Sequence, residues 1–333
     1  ADVPVLEQTG VQVLPTRTIC RFKGPQVDLT LTFLTPSLPS DLDVLARPVT
    51  YLTWDVAATD GRTHQVELYL DCGAELAVNT PDQPVHWDHP AVEGLSVMRV
   101  GHPDQPVLQN KGDDLRIDWG YAYVGALRAQ GPRMAVGAGD VLRRGFLAAG
   151  GLPLLEDGDQ PRPVQKGAIA MAVAWDLGAV GTGGASRWAM LAYDDRYAIR
   201  YFSSDLRPYW RRSGATAADL LTAAARDYTA LQERCRKFDG ELMADLERAG
   251  GMRYALLCAL AYRQTFAGNK IAADAGGMPL MFPKENFSNG CIATVDVLFP
   301  QAPFFLTLSP ALTRAMLVPI LDYAASPRWK FAY

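Results

Sequence analysis

From Val27 to Phe33, apolar residues alternate with Asp28, Thr30 and Thr32, the period of two that marks a strand with one buried face. Comparable stretches follow at Val49–Val56, Gln65–Leu70, Glu75–Val78, Leu95–Val100, Leu115–Val124 and Ile169–Trp175, rich in β-branched and aromatic residues and separated by Gly, Pro, Asp or Asn. Many short strands with turn signals at this spacing predict an antiparallel sandwich, with Asp60-Gly61 and Gly112-Asp113 as turn sites.

After Trp210 the period changes. Leu220, Ala224, Tyr228, Leu231, Cys235, Phe238, Leu242 and Leu246 recur every three or four residues, which predicts a long amphipathic helix over Ala217–Ala249 closed by Gly250-Gly251. A second helix, Met252–Phe266, is apolar on most faces and is expected to be buried between neighbours. A third starts where Ser309 can cap and Pro310 can occupy the first turn, and runs to about Ala324 with Pro319 as a kink. An all-β front and an all-α back predict two domains, 1–207 and 208–333.

Composition narrows the partners. A hydrophobic content of 49% with 20% charge is that of a globular protein, and a net charge of -4 offers no basic stripe for a phosphate backbone, so nucleic acid is not expected. No apolar run approaches the roughly 20 residues of a membrane span. The five cysteines (Cys20, Cys72, Cys235, Cys258, Cys291) form no C-x-x-C pair, so neither a zinc knuckle nor a disulfide framework is indicated. The aromatic end Trp329-Lys330-Phe331-Ala332-Tyr333 reads as an interruption of a longer chain, whose remainder is then an expected partner.

The four histidines, His64, His86, His89 and His102, all lie in the β half, which disfavours a histidine-based triad among the helices. His86-Trp87-Asp88-His89 lacks a third metal ligand, and surface histidines are the reading. Asp194-Asp195 can hold a cation or an arginine, with the ion pair preferred. Arg207-Pro208-Tyr209-Trp210-Arg211-Arg212 fits a domain interface better than a ligand grip. Gly181–Gly184 lacks the strand-to-helix context and the Lys of a phosphate loop, so neither a nucleotide cofactor nor a metal is expected.

Chemistry concentrates in Lys284-Glu285-Asn286-Phe287-Ser288-Asn289-Gly290-Cys291-Ile292-Ala293-Thr294-Val295-Asp296-Val297, a turn-rich stretch between two predicted helices. Carboxylates held by amides and a hydroxyl can serve as acid, base or nucleophile; a solvated polar loop is the alternative. This stretch, with Ala192-Tyr193-Asp194-Asp195, Leu206-Arg207-Pro208-Tyr209-Trp210 and Ala261-Tyr262-Arg263-Gln264, resembles the glutaminase A family of fungi and bacteria over nearly the whole chain. The resemblance implies an antiparallel β-sandwich, supersandwich-like, followed by the first helices of an (α/α)6 toroid of six hairpins. The family's later Pro-His-Asp-Leu-Gly-type segment is absent here.

The resemblance also implies a hydrolase that turns L-glutamine into glutamate and ammonia. Glu285 would activate water, Asn286 or Asn289 would donate to the oxyanion, and Asp296 would orient the loop, with Thr294 also at the substrate. A more distant resemblance, to glycosidases of the bile-acid β-glucosidase type, implies an alternative. There the nucleophilic Glu precedes a Thr-x-Asp-Val motif by nine residues, as Glu285 precedes Thr294-Val295-Asp296-Val297, and the acid/base Asp would lie downstream of this chain. Retention needs carboxylates about 5 to 5.5 Å apart, inversion about 6.5 to 9.5 Å. A third reading is a non-catalytic piece that binds a partner chain through exposed apolar helix faces. An extracellular or cell-envelope location is implied by the resemblance alone, with the cytoplasm as the alternative that an odd thiol count suits.

Overall fold

The computed structural model describes residues 3–153, 157–285 and 289–332. Nine strands form one antiparallel sheet, in the spatial order Glu7–Val13, Arg17–Lys23, Val27–Leu34, Val49–Ala58, Ala185–Asp194, Tyr121–Leu127, Leu95–Gly101, Pro84–Asp88 and Arg162–Pro163. A three-stranded sheet, His64–Gly73, Ile169–Val180 and Arg133–Ala138, faces it. Alternation along Val49–Ala58 explains the layering. Leu52, Trp54 and Val56 point into the core between the sheets, where Trp54 meets Trp175 at 5.5 Å between ring centroids. Val49 and Tyr51 point the other way, beside Trp188, Met190 and Tyr123.

That second face is covered by a helix. The long helix Ala217–Ala267 begins with a capping box, in which Thr216 and Asp219 satisfy each other's orphan backbone donors. It breaks at Gly251, whose φ of 81° and ψ of 173° lie in a region that a side chain forbids. The first arm lays Leu220, Leu221, Ala224, Tyr228, Leu231 and Cys235 on the large sheet. Tyr228 stacks on Trp188 with centroids 4.1 Å apart, and its hydroxyl shares a 2.6 Å hydrogen bond with Thr53. Further along, the fully buried Asp239 accepts from Thr16 N and Thr16 Oγ1 at 2.9 Å and from Arg17 Nε at 2.7 Å. The large sheet is therefore buried on both sides, which is why Val49–Ala58 is nearly all interior.

Beyond Gly251 the second arm keeps only Ala255, Ala259 and Tyr262 fully buried, while Met252, Tyr254, Leu256, Leu257 and Leu260 are exposed. The expectation that this helix lies between neighbours is thus not met on one side. A four-stranded sheet follows, Ile199–Tyr201, Ser204–Pro208, Asn269–Ala273 and Pro279–Pro283, with helices Val295–Leu308 and Pro310–Ala325 packed on it. Its Ser204–Pro208 strand pairs with Asn269–Ala273 at Arg207↔Ala273 and Pro208↔Ala272, joining the β-rich front to the helical back.

Several elements differ from the sequence expectation. Glu75–Val78 is not a strand. Ala74–Ala77 forms a 3-10 turn, because its fully buried alanines stand three apart rather than two. In Leu115–Val124 only the part from Tyr121 onward is extended in a sheet. The pair of strands Asn269–Ala273 and Pro279–Pro283, and the helix Val295–Leu308 with Pro300 and Pro303 inside it, have no counterpart in the pattern reading.

Candidate active site

The strand Pro279–Pro283 runs straight into the acidic loop. Lys284 and Ile292 form an antiparallel bridge, Ala293 N donates to Pro283 O at 2.8 Å, and Cys291 N donates to Asn289 Oδ1 at 2.8 Å. Ala293 then turns with a φ of 57°, and Thr294 occupies the N-cap position of the helix Val295–Leu308. From there the Thr294 hydroxyl donates to Glu285 Oε1 at 3.2 Å, closing the nine-residue spacing into a contact. Glu285 is half-buried, as are Asn289 and Thr294. Asp296 is exposed in the first turn of the helix, where a carboxylate complements the helix dipole. Of the five predicted site residues, Glu285 and Thr294 are in contact and Asn289 is in the same loop. Asn286 lies outside the described residues.

The loop faces a second one across a cleft. The predicted turn at Gly112-Asp113 docks on Gly290: Asp113 Oδ1 accepts from Gly290 N at 2.7 Å. A Cβ on Gly290 would stand 2.4 Å from Gly112 O, so only glycine allows this approach. Between the two loops and the large sheet lies a cleft of about 630 Å³, with Lys284, Asn289 and Ile292 on one wall and Lys111, Asp114 and Arg116 on the other. Its floor holds Trp119, Tyr193, Asp195 and Lys270.

Asp194 and Asp195 both make ion pairs, with different partners. Arg211 meets Asp194 at 3.3 Å, and Lys270 meets Asp195 at 2.5 Å. Burial raises the Asp194 carboxyl above the usual range, with Arg211 opposing. Trp119 Nε1 donates to the Asp195 carbonyl at 2.9 Å, and Tyr193 Oη donates to Trp119 O at 2.6 Å, which fixes the floor. Burial likewise raises the Tyr193 phenol, so it acts as a neutral donor. Arg207-Pro208-Tyr209-Trp210 serves packing, with Trp210 in the core between sheet and helix and Arg212 lying 4.0 Å above the Tyr209 ring.

Lys270, Trp119 and the 110–117 loop were not foreseen as part of this site. Lys270 sits in an unpredicted strand, and the loop carried only the Gly112-Asp113 turn signal. No group of three or more potential metal ligands occurs among the described residues, and no helix among them is long and apolar enough to cross a membrane.

Comparison with known proteins adds the family. Residues 16–245 match a domain of unknown function, DUF5127, and residues 251–333 match the Glutaminase A six helical-hairpin domain. Glutaminase A of Aspergillus oryzae is 27% identical over all of this chain and 48% of its own length. A protein of Arthroderma benhamiae named as a probable glutaminase is 25% identical over 93% of this chain and 37% of its own length. The chain thus spans half or less of the length of these relatives. Among solved structures, the heparan sulfate lyase HepC of Pedobacter heparinus aligns at a TM-score of 0.28 and 8% identity, over 56% of this chain and 21% of that one, too distant to carry an argument. The two domain matches follow one another along the chain and meet beside the helix break at Gly251, and the chain belongs to the glutaminase A family.

Proposed function

We propose that the protein hydrolyses the side-chain amide of L-glutamine, releasing glutamate and ammonia, with Glu285 as the carboxylate that activates water. The observation that supports this most directly is the 3.2 Å contact from Thr294 Oγ1 to Glu285 Oε1. It anchors the carboxylate of Glu285 within the loop and closes the nine-residue spacing into one contact. The names of the relatives supply the substrate class.

In this scheme water attacks the amide carbon as its proton passes to Glu285, and the C–N bond then breaks with that proton leaving on ammonia. Asn289, whose Oδ1 is taken by Cys291 N, offers its amide nitrogen to the developing oxyanion. Asp296 holds the loop by favouring the first turn of the helix it opens.

Ammonia release from L-glutamine by the full-length protein tests the reading. Glu285→Gln should lower turnover by about 10²- to 10⁴-fold, the usual contribution of a positioned base. Its melting temperature should move by no more than about 2 °C, since the side chain is only half-buried. Full retained activity would remove Glu285 from the mechanism. A folded wild type that releases no ammonia but cleaves aryl glycosides would establish the other chemistry that the Glu285–Thr294 spacing fits, with Glu285 as nucleophile.

A further inference from the structure

The loop 110–116 of the β-rich front is exposed along its whole length, yet its base is closed by side chains. Asp118, 1% exposed at one root, accepts from Asn110 Nδ2 at 2.6 Å and from Gln83 Nε2 at 3.0 Å. At the other root Arg116 N donates to Asn79 Oδ1 at 2.8 Å, and Asn79 N donates to Gln83 Oε1 at 2.6 Å. Gln83 therefore ties the two roots together, and the tip at Gly112-Asp113 is carried on a fixed base.

That tip holds the return limb of the acidic loop. Asp113 Oδ1 accepts from Gly290 N at 2.7 Å, and Gly290 lies so close to Gly112 that no side chain fits between them. One residue on, Cys291 O accepts from Glu285 N at 3.4 Å, and Ile292 bridges Lys284. One residue back stands Asn289. A path of two hydrogen bonds thus runs from Asp113 through Gly290 and Cys291 to the backbone of Glu285. Its ends belong to different family matches, Asp113 to residues 16–245 and Glu285 to residues 251–333. An exposed side chain such as Asp113 adds little to global stability, so what this contact contributes is placement.

We propose that Asp113 is a positioning residue: by holding Gly290 N it fixes the limb that carries Asn289 and pairs with Glu285, so that the β-rich front sets the aim of a carboxylate carried by the helical back. The front is then a strut for the reacting loop as well as a platform for the long helix. The catalytic consequence rests on Glu285 being the hydrolytic carboxylate, whereas the strut itself is tested apart from that reading.

Two measurements on the full-length protein separate the ideas. Hydrogen exchange read by mass spectrometry should show the peptide spanning 284–294 exchanging roughly 10-fold faster in Asp113→Ala, as expected for the loss of one charge-assisted hydrogen bond, while the helix arm over 217–235 keeps its rate. Asp113→Asn, which keeps an acceptor oxygen, should restore the wild-type rate. The melting temperature of both variants should stay within about 1 °C of wild type, since the substituted side chain is exposed. In ammonia release from L-glutamine, Asp113→Ala should lower kcat by about 10- to 100-fold with KM within about twofold, and Asp113→Asn should recover it, the pattern of a misaimed group rather than a lost binding contact. Faster exchange in Asp113→Ala beside a wild type that releases no ammonia would sustain the strut and sink the hydrolytic reading. Exchange untouched by Asp113→Ala would overturn the strut, and faster exchange with kcat unchanged would overturn the positioning role.

Discussion

Asp239 tests whether the first arm of the long helix is held by more than its apolar stripe. Its carboxylate is 1% exposed and satisfies three donors: Thr16 N, Thr16 Oγ1 and Arg17 Nε. Asp239→Ala leaves the buried Thr16 N–H without an acceptor, at about 1 to 3 kcal/mol, and removes the anion that pairs with Arg17. Breaking one partner of a buried pair costs about 3 to 5 kcal/mol, and Arg17, 17% exposed, keeps some water, so a loss of about 4 kcal/mol is expected. An unfolding entropy near 2.1 cal/mol/K per residue gives roughly 0.7 kcal/mol/K for 333 residues, so the melting temperature should fall by about 6 °C. Circular dichroism melts of the full-length protein, beside Asp239→Asn, which keeps one acceptor oxygen, should place the Asn variant between wild type and Ala. Arg236→Ala, which removes an exposed pair with Glu233, should leave the midpoint where it was. A loss under about 1 kcal/mol for Asp239→Ala would refute the reasoning and leave the apolar stripe as the whole attachment.

Two further changes probe other parts of the argument. The Arg162 guanidinium holds the Asp157 carboxyl down at about 2, so the pair should stabilise the protein above the ordinary carboxylate range and lose that contribution as pH falls from about 4 to about 2. Asp157→Asn should cost about 1 kcal/mol at pH 7 after solvent screening and flatten that acid limb in urea titrations; an unchanged limb would show that another group sets it. Gly251→Ala places a side chain at φ 81° and ψ 173°, where nothing crowds the new Cβ, so a measured loss of about 1 to 3 kcal/mol would be pure backbone strain. Unaltered stability would mean that the helix break relaxes freely.

How much was legible depended on whether a signal was local. Val27–Leu34 and Val49–Ala58 announced themselves by alternation, and the long helix by its three-four spacing and its Gly250-Gly251 stop. The helix Val295–Leu308 did not, because Pro300 and Pro303 contradict a helical reading and only packing against Met281, Leu312 and Met316 overrides them. The Glu285–Thr294 contact matches a spacing visible in the chain, whereas the Asp195–Lys270 pair joins residues 75 positions apart through a strand pairing that no pattern revealed. The exposure of Leu256, Leu257 and Leu260 was equally illegible, since an apolar helix face looks the same in sequence whether or not something covers it.

The two arms of the long helix have a mechanical consequence. The first is clamped to the large sheet by its stripe and by Asp239, while the second continues into the strands that carry Lys270 and the acidic loop. Apart from side-chain contacts, the helical back is tied to the front by the chain at Gly251 and by the two-residue seam of Arg207 and Pro208 with Ala273 and Ala272. A swing of one part against the other would bend the backbone at those two points and strain the contacts that span the parts, Lys270 with Asp195 and Gly290 with Asp113. A ligand held in the cleft lined by Lys270 and Lys284 would then act as a further fastening, stiffening the joint in proportion to its occupancy.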